Sequence, residues 1–320
     1  MAFSVYVTRP IPEVGIRILQ RSCGAVDVGP ADRAQTAEEL IAAIRNRDGV
    51  LCNVADAIGA EVLEAVAGKC KVFANFGVGV NHIDLAAAER LGIVVTNTPG
   101  VLTDATADLT WALMLAAARR LSEGVTLVSS GQWSGWTPTQ LLGHDVTGRT
   151  LGIVGAGRIG TAVGLRSAGF HMPILYVERR QRDELDRMGG RRVELDDCLA
   201  GSHFVTLHVP LTPETHHLIG ERELGLMRPD AILINTSRGE VVDERALARA
   251  LREKRIAAAG LDVFENEPHP LPELLALPNV LCLPHLGSAT VATRDRMAEI
   301  SATDLLRVLN GDAPLHRVAG

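Results

Sequence analysis

Two kinds of apolar run alternate along the chain. Short stretches of β-branched and aliphatic residues at 3–8, 49–53, 72–75 and 93–96 read as strands, and between them 37–47, 61–67 and 85–91 carry apolar positions at helical spacing. A second series begins at Thr150 and runs to about Pro284, with strands at 173–177, 231–235, 257–262 and 280–283. This alternation predicts α/β layers around mainly parallel sheets. Residues 289–309 predict a final helix with no strand after it. A helix so placed returns to the first series and makes that domain discontinuous. The expected domains are 1–99 with 289–320, and 100–288.

Between the two series, Asn97-Thr98-Pro99-Gly100 forms a turn signal ahead of a long helix. Thr103 or Asp104 caps it, Asp108 suits its first turns, and Arg119 and Arg120 suit its negative end. Its middle is apolar nearly all round, which predicts burial between domains or subunits.

Composition narrows the function classes. At 320 residues the chain exceeds the usual size of one core, in keeping with two domains. The formal net charge is −6, and no basic face is visible, so neither nucleic acid nor a membrane surface is an expected partner. The N-terminal residues read as a strand rather than a signal peptide, and no apolar run spans a bilayer. The five cysteines are scattered, with no Cys-x-x-Cys pair. They predict buried thiols in a reducing cytoplasm, with no disulfide framework and no metal. His203, His208, His216 and His217 lack the third and fourth partners that a metal needs, and read as solvated or core residues.

The first chemistry-bearing motif is Gly155-Ala-Gly157-Arg158-Ile159-Gly160, with an apolar strand before it and a helix after it. Gly155 permits the tight turn, Gly157 lets the backbone approach a pyrophosphate, and Gly160 lets helix and strand pack closely. The strand at 173–177 ends at Glu178, 23 residues beyond Gly155, where a carboxylate takes ribose hydroxyls and favours NAD. Arg179 and Arg180 follow at once, and an arginine there takes the 2′-phosphate of NADP. The two signals oppose each other and leave the choice open between NADH and NADPH.

Three later strands deliver Arg238, Glu267 and His285 beyond their carboxyl ends, the edge at which open α/β sheets bind ligands. A guanidinium holds a carboxylate bidentately and polarises a neighbouring carbonyl. A histidine is the side chain best suited to donate a proton near neutral pH, and a carboxylate beside it favours its charged form. The trio fits reduction of a 2-oxo acid by a nicotinamide hydride. Arg294, nine residues after His285, lies on the last helix as a candidate second anion contact.

These segments resemble the D-isomer-specific 2-hydroxyacid dehydrogenase family, most of all its glyoxylate/hydroxypyruvate reductases. The likeness is carried by residues 75–84, 97–108, the glycine loop, 236–243, 260–268 and 284–289, which together cover essentially the whole chain. It implies two Rossmann/flavodoxin-like domains with parallel sheets and an active site in the interdomain cleft. It implies that Arg238, Glu267 and His285 are catalytic and that the backbone of Val78 and Gly79 binds the substrate carboxylate. Cofactor contacts are implied at Arg158, Ile159, Pro210, Thr215, Thr236, Asp262 and Gly287. A homodimer built around the helix near 103–120 is implied too, with Trp136 matching a tryptophan that enters the partner's pocket in some relatives. Asn53 and Val54 stand where hydrophobic residues usually meet substrate, so the pocket is expected to differ slightly. The expected reaction is NAD(P)H-dependent reduction of glyoxylate or hydroxypyruvate to the D-2-hydroxy acid. The alternatives are a corepressor-like NAD(H) sensor and a short phosphoglycerate dehydrogenase.

Overall fold

A computed structural model describes residues 3–320; Met1 and Ala2, read with the first strand from sequence, lie outside the described residues. The chain forms two compact units, one taking the chain up to Leu102 together with Ala289–Gly320, the other Thr103–Ser288.

In the first unit, β1 (Ser4–Val7), β2 (Ala25–Val28), β3 (Gly49–Asn53), β4 (Val72–Phe76) and β5 (Val94–Thr96) pair in parallel in the order β5-β4-β3-β1-β2. Side chains alternate across the sheet and so supply two cores. Tyr6, Val50, Cys52, Phe73 and Val95 pack under the helices Ala37–Ile44, Ala60–Ala65 and Leu85–Leu91. Val5, Val7, Leu51, Val72 and Ala74 pack with Leu19 of the Glu13–Ser22 helix and with Ala302, Leu305 and Leu309 of the Val291–Leu309 helix. The last helix thus closes one face of the first sheet. The chain does not end as expected there. Arg317–Ala319 forms a strand antiparallel to β5. Three residues with two exposed carry no alternation to read, and the pairing is made by backbone groups of the sheet edge. β2, another mostly exposed edge strand, is equally faint in the sequence.

The second unit holds seven parallel strands, β6 (Leu151–Val154), β7 (Ile174–Val177), β8 (Arg191–Arg192), β9 (Phe204–Leu207), β10 (Ile232–Asn235), β11 (Ala258–Leu261) and β12 (Val280–Cys282), in the order β12-β11-β10-β9-β6-β7-β8. The chain leaves β6 toward β7 and returns on its other side as β9, so the switch point that binds ligands lies between β6 and β9. The Thr103–Ala118 helix packs into this unit, with Ala107, Trp111, Leu113 and Met114 against Ile153, Ile232 and Ile234. Much of its apolar surface is therefore covered within its own unit. Periodicity shows that a helix is buried but not what buries it. After Arg120, at φ 52°, a further helix runs from Leu121 to Ser129.

Candidate active site

The glycine loop leaves β6 at its carboxyl end. Gly155 has φ +92°, and a Cβ there would lie 2.8 Å from the His208 carbonyl carbon. Gly160 would place a Cβ 2.2 Å from Gly155 O, so the helix Arg158–Arg166 rests directly on the turn. Gly157 differs. It is the residue before that helix, without a side-chain cap, and among the described residues nothing lies within 4 Å of where its Cβ would stand. Open space in front of unsatisfied helical N–H groups is a cradle for a phosphate. Arg158, which is exposed, and Ile159 open the helix. The residues present fit a dinucleotide.

Glu178 follows β7. One oxygen accepts the Arg179 N–H at 2.8 Å and the other pairs with Arg182 at 3.2 Å, while Arg179 and Arg180 are exposed. Beyond β9, the Thr215 hydroxyl donates to Pro210 O at 2.6 Å and fixes that turn. Thr236 is buried and shares a hydrogen bond of 2.9 Å with Thr110.

The turn after β10 is built by Asn235. Its oxygen accepts the Ser237 N–H and hydroxyl at 3.0 and 2.8 Å, and its amide donates to Arg238 O at 2.8 Å. Arg238 Nη1 donates to Ser237 O at 2.7 Å. Burial pushes this guanidinium below its ordinary range, against the charges of Glu267 and Glu240. An arginine nonetheless stays charged.

His285 Nδ1 lies 2.9 Å from Glu267 Oε2, and Glu267 Oε1 accepts the Phe264 N–H at 3.1 Å. Burial pushes the Glu267 carboxyl up, but the hydrogen bond and charge of His285, the Phe264 N–H and Arg238 outweigh it and hold the acid below its usual range. A carboxylate so held donates no proton itself. It orients the ring, and with Nδ1 facing the acid, Nε2 is the atom left to deliver one. His285 sits at φ +57°, a conformation costly for a β-carbon residue. Asp262 holds it there. Its backbone carbonyl accepts the His285 N–H at 2.9 Å, and its carboxylate accepts the Leu286 and Gly287 N–H groups at 2.7 and 2.8 Å. Burial raises the Asp262 carboxyl despite those bonds. Gly287 O in turn accepts the Thr106 hydroxyl at 3.0 Å.

Val54, Val78, Gly79 and Arg294 belong to the first unit. Asn75 donates to Gly77 O and Gly79 O at 3.1 and 2.9 Å, and Asn97 donates to Val78 O at 2.8 Å. In a trans peptide the carbonyl and the following N–H point opposite ways. Anchoring the carbonyls of Gly77 and Val78 therefore turns the N–H groups of Val78 and Gly79 outward from their own loop. Val54 is 37 % exposed at the β3 end, on a loop tied by Asp56, which accepts the Thr8 hydroxyl at 2.5 Å and the Asn53 N–H at 2.9 Å. Arg294 Nε is buried without a hydrogen-bond partner among the described residues. Trp136, in the second unit, is 79 % exposed.

The residues of the second unit from 111 to 287 match the family model described as "D-isomer specific 2-hydroxyacid dehydrogenase, NAD binding domain". The chain belongs to this family. It is 47 % identical to the glyoxylate reductase of Thermococcus litoralis over 97 % of its own length and 95 % of the relative's. A solved protein from Thermus thermophilus is 44 % identical with a TM-score of 0.91, covering 99 % of this chain and 100 % of that one. The NADPH-dependent glyoxylate/hydroxypyruvate reductase of Sinorhizobium meliloti, solved with NADP and malonate, is 33 % identical with a TM-score of 0.88, covering 100 % and 97 %. The protein is an NAD(P)-dependent D-2-hydroxyacid dehydrogenase that uses a nicotinamide cofactor for 2-oxo acid reduction. No helix among the described residues is long and apolar enough to cross a membrane.

Sequence reasoning singled out the side chains at the strand ends but missed the polar residues that hold them. Asn235, Asn75 and Asn97 build the turns, and Glu244, Glu265 and His217 brace the Glu267 loop. An asparagine ending a buried strand just before a turn was the available signal. Nothing local to Glu244, the first residue of its helix, signals its contacts with the distant 265–271 segment.

Proposed function

We propose that this dehydrogenase reduces glyoxylate and hydroxypyruvate to the D-2-hydroxy acids. The His285–Glu267 pair at 2.9 Å carries the reading. Arg238 binds the substrate carboxylate and polarises the 2-oxo group, with the Val78 and Gly79 N–H groups as further carboxylate donors. His285 Nε2 gives its proton to the carbonyl oxygen, and Glu267 stabilises the charged ring before transfer. When bound, a nicotinamide would supply the hydride for C2. The glycine loop holds the pyrophosphate, Glu178 the ribose and Arg179 a 2′-phosphate, while Asp262 keeps the His285 turn in place. The names of the relatives support the small substrates, and Val54, Trp136 and Arg294 are assigned to the substrate pocket.

Exchange of His285 for Asn, followed by NADH and NADPH oxidation with a panel of 2-oxo acids, tests this. General acid catalysis contributes about 10²–10⁴-fold, so a loss of that size with cofactor binding retained is expected. Full turnover by the variant refutes the assignment, and a wild type indifferent to both acids refutes the substrates.

We also propose a homodimer. Leu121, Val125 and Val128 of the Leu121–Ser129 helix are 52, 67 and 60 % exposed, and Trp133 and Trp136 follow them. A helix with such an uncovered apolar face supports an interface between copies.

A further inference from the structure

Glu267 sits on an irregular segment between β11 and the short helix Pro272–Leu275, yet its carboxylate must stay within hydrogen-bond reach of His285. Three contacts within the second unit fix that segment. A Cβ on Gly239 would lie 1.8 Å from Phe264 C and 2.2 Å from Glu265 N, so the turn carrying Arg238 rests on the start of the Glu267 segment. Glu244, 6 % exposed, sends one oxygen to the Glu265 N–H at 2.8 Å and the other to the Leu271 N–H at 3.3 Å. Those amides bracket Glu267 on both sides. Glu265 answers in kind, accepting the Glu244 N–H at 2.9 Å and facing His217 Nε2 at 3.0 Å.

We propose that Glu244 is a positioning residue, whose carboxylate clamps the segment 265–271 and thereby holds Glu267 against His285. This rests on the catalytic reading of that pair. A buried carboxylate is costly, and burial together with the charges of Glu265 and Glu240 pushes Glu244 up, against its two amide bonds. Cys282 faces it as well. An arrangement this expensive ties both ends of the segment, and Glu267 lies at its centre. Glu267 itself is faced by His285, Arg238 and Asp262.

The test uses Glu244→Gln, which keeps the side-chain volume and one acceptor oxygen but turns an N–H₂ toward the other amide. A small misplacement of a catalytic group costs on the order of 10²-fold. A fall in kcat of about 10–100-fold is expected, with KM for the 2-oxo acid nearly unchanged. The acid limb of the kcat–pH profile should move to higher pH, because a Glu267 displaced from His285 loses the hydrogen bond and charge that hold its carboxyl below the usual range. Purely structural damage would instead lower the number of cofactor-binding sites and leave the pH limb where it was, and that result overturns the proposal. So does a folded variant with wild-type kcat and limb. If Glu244 variants fail to fold, Glu265→Ala removes the reciprocal acceptor, leaves Glu244 in place and is expected to give the same pH shift; its absence is equally fatal. Run beside His285→Asn, the outcomes separate. Turnover surviving loss of His285 removes the catalytic reading and this one with it, whereas loss there with normal Glu244→Gln kinetics removes this inference alone.

Discussion

His208 directly follows β9, with both ring nitrogens buried and no hydrogen-bond partner among the described residues. Burial pushes the ring down to about 3. The unfolded chain takes up this proton near pH ~6.5, whereas the folded chain does not until about pH 3. A histidine depressed in this way costs stability as the pH falls below the unfolded value, at about 1.4 kcal/mol per pH unit through that window. His208→Gln should therefore flatten the loss of stability between about pH 6 and pH 4. Urea midpoints across that range check this, and parallel slopes for both proteins would refute it. From sequence the ring was only one of several histidines beside apolar strands. Its isolation is a matter of tertiary burial, which no local pattern specifies. Arg179 belongs to the same scale. Hydrogen bonds to charged groups contribute roughly 1.5–3 kcal/mol, so Arg179→Ala should lower kcat/KM for NADPH by at least about tenfold and leave NADH alone. Equal effects on the two cofactors would remove the 2′-phosphate role.

At the scale of one element, the glycine loop separates fold from binding. Gly160→Ala forces a methyl against Gly155 O, which is backbone and cannot yield. Overpacking of this kind costs about 1–3 kcal/mol, and a lowered melting temperature with weaker NADH binding is expected. Gly157→Ala adds the same methyl in open space. Its melting temperature should match wild type, while the NADH fluorescence titration weakens because the methyl occupies the pyrophosphate position. Two variants with the same melting temperature would show that this division of labour is wrong. This element was almost fully legible, because the spacing of its glycines is a local property of the chain. The segment around Glu267 was not, since its order depends on Glu244 and Gly239, which lie far away in the sequence.

For the whole molecule, the last helix is a structural half of the first unit. Leu305 is fully buried against β1, β3 and β4, and Leu305→Ala should cost about 2–5 kcal/mol, read from chemical denaturation. A change below about 1 kcal/mol would mean that the helix is not part of that core. The assembly is tested by Val125→Glu with Val128→Glu, which places charge on the exposed face of the Leu121–Ser129 helix. Sedimentation should show dimers becoming monomers, and an unaltered mass would place the interface elsewhere.

Strand and helix periodicity, the glycine spacing and the three strand-end residues are written locally, in residue types whose meaning comes from near neighbours. They were enough to determine an α/β chain with a dinucleotide loop and a trio suited to 2-oxo acid reduction. Tertiary structure decided the rest. It supplied the Arg317–Ala319 edge strand, the burial of the Thr103–Ala118 helix on its own sheet, the pairing of His285 with Glu267 and the carboxylates that brace them. Each of these is a contact between residues distant in the chain, where backbone amides and buried charges find partners that no local pattern specifies.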